Sequence, residues 1–287
     1  MREIFTMWRH TQMVVLVALT AAIYAATLIP TQFLPIIPGF TNLRPANVFP
    51  FVFGLLFGPA GAWGAAIGNL INDFFGTLNL GSVAGFVGNF YLGYLPYKMW
   101  HTFFRRDEDM EPNTDSGKKL AVFIAIVVLA SVICAVWIAW FNDLLGFVPF
   151  AALSTIITFN NLIAGVVLGP IFLLVLYPRM KRWGLLWTEI MRPDEVSASR
   201  FERLGNVLMW IGGIGGLVVG LVLGLGIYQQ GFAAAGYSPE AGGAGGIAIG
   251  LALIPFLVLI IVASFLLGGR EQVEAAQEEE AGSEQVR

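Results

Sequence analysis

The chain has 287 residues, of which 57% are hydrophobic and only 12% charged, and its mean hydropathy is +0.75. Those values exclude a water-soluble domain of this size; the formal charge of −3 says little alone, because much of the acid lies in the tail, and no nucleic-acid partner is expected. One cysteine, Cys134, excludes a disulfide framework and a cysteine metal site.

Apolar runs of about 20 residues, each long enough to cross about 30 Å of hydrocarbon, recur along the chain. They do not alternate as barrel strands do, so the sequence reads as an all-α polytopic membrane protein. The first span runs over about 12–30. It is longer than a signal-peptide core and has no clean cleavage site after it, so it is a retained helix. An external loop, PTQFLPIIPGFTNLRPANVFP, follows, then spans over about 47–59 and 61–78 joined by FGPAG, a tight turn. Further spans cover about 81–104, 119–142 and 153–177. A polar linker, 181–205, precedes two more over about 206–228 and 246–267, and 269–287 is an acidic, low-complexity tail expected to be disordered.

Basic residues favour cytoplasmic loops. With eight spans and both termini inside, fifteen of the sixteen Lys and Arg residues fall inside; Arg44 alone falls outside. Two readings of Arg44 stand: a helix-end arginine that reaches headgroups or an internal carboxylate, or a ligand contact in a loop over a cavity, with Asn42 and Asn47 beside it.

Polar groups at membrane depth are costly and face the protein interior or a cavity. Asn69, Asn72 and Asp73 share one face of the third span. Asn89 and Tyr91 lie part way along the fourth, and Asn160 and Asn161 along the sixth. Interhelical hydrogen bonding accounts for any one of them. The cluster together points to an external pocket for a polar heterocycle, with Trp63, Phe74, Phe75 and Tyr91 as stacking surfaces. Small residues recur at four-residue steps in two places: Ala18, Ala22 and Ala26 in the first span, and Gly212, Gly216, Gly220 and Gly224 in the seventh. Such stripes let helices approach closely, within the chain or between subunits.

No HExxH, GxSxG or phosphate-loop motif is present, and His10 and His101 lie far apart. Nothing in the chain calls for a metal, a cofactor or catalysis, and no ATPase motif is present.

Residues 12 to about 180 resemble the substrate-binding S component of energy-coupling factor (ECF) transporters. The resemblance rests on ALTAAIYAA, on the long first external loop, on RPANVFPFVFGLLFGPAGAWGAAIGNLINDFFG as a Gly- and Pro-rich hairpin, and on six spans with both ends inside. It implies a subunit that binds a vitamin or similar micronutrient from outside and docks on a membrane coupling (T) subunit driven by two cytoplasmic ATPases. It assigns Ala18, Ala22 and Ala26 to docking, and Asn42, Arg44 and Asn47 to a lid over the substrate. The last two spans, 206–268, depart from the six-span core of 1–180. A scaffold without a ligand and a lipid-acting enzyme using Asp73 remain the alternatives.

Overall fold

The computed structural model describes residues 1–38, 40–104, 109–229 and 246–285. Arg105, Arg106 and Arg287, which the charge pattern uses, lie outside the described residues. Eight long helices stand where spans are expected: α1 Thr11–Leu28, α2 Val48–Phe57, α3 Pro59–Asp73, α4 Ser82–Met99, α5 Gly117–Leu144, α6 Phe150–Arg182, α7 Glu202–Ile227 and α8 Gly246–Leu266. Five segments, around α1, α5, α6, α7 and α8, are long and apolar enough to cross a membrane unaided. A ten-residue helix such as α2 reaches only about 15 Å. Almost every residue of α2 is buried, so its neighbours shield it from lipid.

The α2–α3 hairpin is the centre of the bundle, and its local chemistry explains its shape. Gly58 has φ 56°, a conformation open to glycine, and Pro59 at the first helical position supplies a preset φ. The buried indole of Trp187 closes the turn: a Cβ on Gly58 would lie 2.5 Å from it. Further along, Gly54 meets Gly93 of α4 so closely that a Cβ would lie 2.2 Å from the Gly93 carbonyl oxygen. The backbones of α2 and α4 touch there, and no side chain fits between them.

The long loop after α1 forms a short antiparallel pair, β1 Pro35–Ile37 with β2 Thr41–Asn42. At the opposite end of the bundle, Lys98 of α4 is fully buried and pairs with the fully buried Glu3 at 2.5 Å. The same ammonium donates to the carbonyls of Leu267 at 3.2 Å and Gly268 at 2.8 Å. Three segments of the chain are thereby tied at one point.

The last two spans pack against the core. The α7 glycines face side chains of this same chain: a Cβ on Gly212 would meet Ile260, one on Gly216 Phe256, and one on Gly220 Phe150. Helix α7 contains π turns over Ile211–Gly215 and Val222–Ile227. The tail corrects an expectation. Residues 270–285 form a helix, α9 Arg270–Gln285, rather than a disordered segment. Its Glu, Ala and Gln residues are good helix formers. Val273 is buried, and Gln272 donates to the Tyr97 carbonyl at 2.6 Å.

Candidate functional site

At the loop end of the bundle, α3, α4, α5, α6 and the loop between α1 and α2 enclose a cavity of about 580 Å³, its opening included. Phe40, Thr41 and Arg44 roof it, and Asn69 and Asp73 line it from α3. Ser82, Gly85 and Asn89 line it from α4; Cys134, Ile138 and Asn142 from α5; Leu153, Ile157, Asn160 and Asn161 from α6. The α3–α4 connection adds Thr77, Asn79 and Gly81.

Asn160 pins the roof. Its Oδ1 accepts from the Arg44 backbone N–H at 3.0 Å, and its Nδ2 donates to the Asn42 carbonyl at 2.7 Å. The amide thus completes backbone hydrogen bonds that the two-residue strand β2 leaves open. The Arg44 side chain turns inward, where Nη1 donates to Asn69 Oδ1 at 2.8 Å. Asn69 Nδ2 in turn donates to Asp73 Oδ2 at 3.3 Å, and Thr77 donates to Asp73 Oδ1 at 3.1 Å. Arg44 Nε is buried with no partner among the described residues.

The floor is a row of amides around one phenol. The Tyr24 hydroxyl of α1 lies 2.7 Å from Asn47 Oδ1 and 2.8 Å from Asn89 Oδ1. The Asn47 amide hydrogen-bonds the Asn161 amide. All four residues are buried.

Of the residues singled out in the sequence, Arg44, Asn47, Asn69, Asp73, Asn89, Asn160 and Asn161 meet at this cavity. Asn42 is buried beside it and offers its backbone carbonyl to Asn160. Asn72 does not line it; its side chain accepts from Gln32 Nε2 at 2.9 Å, fastening the loop to α3. Tyr91 does not line it either. Helix α8 packs on that face of α4, so the Tyr91 hydroxyl bonds Ser264 at 3.1 Å and its ring stacks on Trp137. Trp63 donates to the Ile4 carbonyl at 2.9 Å and packs against Trp8 and Phe90, while Phe74 and Phe75 are exposed. The cavity's aromatic wall is Phe40 instead.

Sequence reading missed Tyr24, Thr77 and Asn79 as site residues, whereas Asn142, in the connection FNDLLGFVPF, belongs to the Asn and Asp cluster read from the sequence. A signal for Tyr24 existed: it is the one hydroxyl-bearing aromatic in ALTAAIYAA and stands on the face opposite the alanines. Ala18, Ala22 and Ala26 are all exposed on the outside of α1. Among the described residues, one carboxylate cluster is close enough to hold an ion, Asp109, Glu111 and Asp115, and it already has Lys119 at 2.7 Å from Asp109 and 3.2 Å from Asp115.

By its fold the chain is a polytopic helical membrane protein, with a roofed, amide-rich cavity at one end of the bundle. The chain belongs to the QueT transporter family, whose family model matches residues 14–178, and it is therefore an S component of ECF transporters. The match ends near the end of α6, so α7, α8 and α9 lie beyond it. No curated protein matches the chain, and no solved structure does.

Proposed function

We propose that this protein captures a queuosine precursor from outside the cell and hands it to an ATP-driven coupling module. The family supports a small nitrogen heterocycle as the solute, and the lining supports the same class. Amides, hydroxyls, one arginine and one carboxylate offer donors and acceptors in one plane-sized space, with Phe40 available to stack. The observation that carries the reading is Arg44. It is the one basic residue at this end by the charge pattern, it reaches into the cavity, and its Nε has no partner among the described residues.

In this reading the cavity faces outward, both termini are cytoplasmic, and the protein sits in the plasma membrane of a prokaryote. The loop over 31–47 is the lid: Asn160 holds it shut at the backbone, and Gln32 moors it to α3. Residues 1–180 bind the solute, while 206–268 stand alongside. Ala18, Ala22 and Ala26, smooth and exposed, are the docking face for the membrane coupling subunit, which two cytoplasmic ATPases drive. Uptake tests this reading. Cells that cannot make the precursor, supplied with this chain and the coupling proteins, should accumulate labelled queuine, the free base of queuosine, and Arg44→Ala should abolish it. Accumulation unchanged by loss of this chain would contradict it.

A further inference from the structure

The floor of the cavity carries a conflict among hydrogen bonds, and its resolution fixes what the ligand must present. The Tyr24 hydroxyl has one proton, yet two amide oxygens, Asn47 Oδ1 and Asn89 Oδ1, lie within 2.8 Å of it. At the other end of the row, with Asn47 Nδ2 on Asn161 Oδ1, the Asn161 Nδ2 group is buried without an acceptor among the described residues. One oxygen lacks a proton, and one N–H group lacks an acceptor.

Asn89 settles the direction. Its Nδ2 donates to the Gly85 carbonyl at 2.8 Å. A half-turn would press two oxygens together there, so Asn89 Oδ1 faces Tyr24 and takes the phenol proton. The Tyr24 oxygen can then only accept from Asn47. A half-turn of an amide exchanges O and N with almost no change in shape. Turning Asn47 puts its Nδ2 on Tyr24 and its Oδ1 on Asn161, and turning Asn161 puts its Nδ2 on Asn47. Both faults vanish together. The atom left unpartnered on Asn161, a residue that lines the cavity, is then its oxygen.

We infer that Asn161 is a specificity-determining residue that presents a hydrogen-bond acceptor at the cavity floor, so the inner end of the ligand is a donor, a ring N–H or exocyclic amino group. This rests on the cavity being the solute site proposed above. Cys134 lies beside Asn161; a thiol both donates and accepts weakly, so it does not decide the direction. Tyr24 is a positioning residue. It does not line the cavity, yet it sets the polarity of the amide that does.

The test is a ligand-free double-mutant cycle on the full-length protein, followed by binding. Asp in place of Asn161 can only accept while it is ionised, so the cycle is read at a pH high enough to keep the carboxyl charged. With Tyr24 present it opposes acceptor to acceptor, and Tyr24→Phe removes the conflict. Asn161→Asp should therefore lower the melting midpoint by about 4 °C or more, and by much less in the Tyr24→Phe background. A variant that folds only in the Tyr24→Phe background is the same result in extreme form. With the opposite polarity, Asn161→Asp is harmless beside Tyr24, or Tyr24→Phe gives no rescue; either outcome overturns the inference. Queuine binding in the Tyr24→Phe background gives the second reading. Asn161→Asp should stay within about tenfold of its Asn161 parent, and Asn161→Leu should lose about 100-fold. Equal loss in both also overturns it. A wild-type protein that binds no queuine removes the functional reading, and the thermal cycle still decides the polarity.

Discussion

Arg44 joins the roof of the cavity to its wall. Its backbone is held by Asn160 and its guanidinium by Asn69, so the side chain is ordered before any solute arrives. Preorganisation of this kind favours affinity because less is lost on binding. Arg44→Ala should weaken solute binding about 10- to 100-fold, the range for a hydrogen bond to a charged group, while the melting midpoint moves little. Isothermal titration and a thermal melt on the same sample check both halves. At the far end, Lys98 and Glu3 behave differently because neither is exposed. Burial pushes the Glu3 carboxyl up, but the ammonium of Lys98 and the N-terminal ammonium outweigh it and hold the group down at about 2. A carboxyl depressed in the folded state stabilises above its unfolded value of about 4.3. That contribution is lost as pH falls from there towards about 2. Glu3→Gln leaves Lys98 buried and unpaired, which should cost about 3–5 kcal/mol and flatten the acid limb of the melting curve between those pH values. The asparagines of the cavity were legible because polar groups at membrane depth are few. The Lys98–Glu3 pair was not, because its partners are 95 positions apart and only the fold brings them together.

The α2–α3 hairpin depends on residues that have no side chain. Gly54→Ala would place a methyl 2.2 Å from the Gly93 carbonyl oxygen, with backbone on both sides and nothing flexible to yield. Overpacking of this sort costs about 1–3 kcal/mol or more; a melt of Gly54→Ala should show a fall of that size, whereas Gly117→Ala, with open space around it, should show none. The hairpin was legible as FGPAG between two apolar runs. The helix over 270–285 was not. Its composition reads as solvated, and Val273 and Gln272 become buried only because α4 and the 183–201 linker are already folded beneath them. Tyr91 failed for a related reason: depth in the bilayer was readable, but the azimuth that turns it to Ser264 depends on α8, 173 residues later. On α1 the two faces have separate surroundings. Tyr24 looks inward to the asparagines, and Ala18, Ala22 and Ala26 look outward. Ala22→Leu should leave queuine affinity unchanged and lower ATP-dependent uptake about tenfold or more, because a bulky side chain spoils the close helix approach that small residues permit.

The whole molecule pairs a polar, roofed end with a tightly fastened opposite end. Helices α7 and α8 lie against α4, α5 and α6, as Ser264 on Tyr91, Trp140 on Gly250 and Phe150 on Gly220 record. They leave the outer face of α1 open. The added hairpin therefore does not cover the surface proposed for the coupling subunit, and Gly212, Gly216 and Gly220 of α7 are used within the chain. The proposed solute site and the proposed α1 docking face thus lie on separate surfaces of the protein. The most direct measurement is equilibrium binding of radiolabelled queuine to the purified full-length protein in lipid nanodiscs, without ATPases or coupling subunit. Saturable binding at one site per chain, lost with Arg44→Ala in a protein that still melts like wild type, is the expected result. A folded protein that binds no queuine, or binds it equally well without Arg44, would contradict the assignment of this cavity.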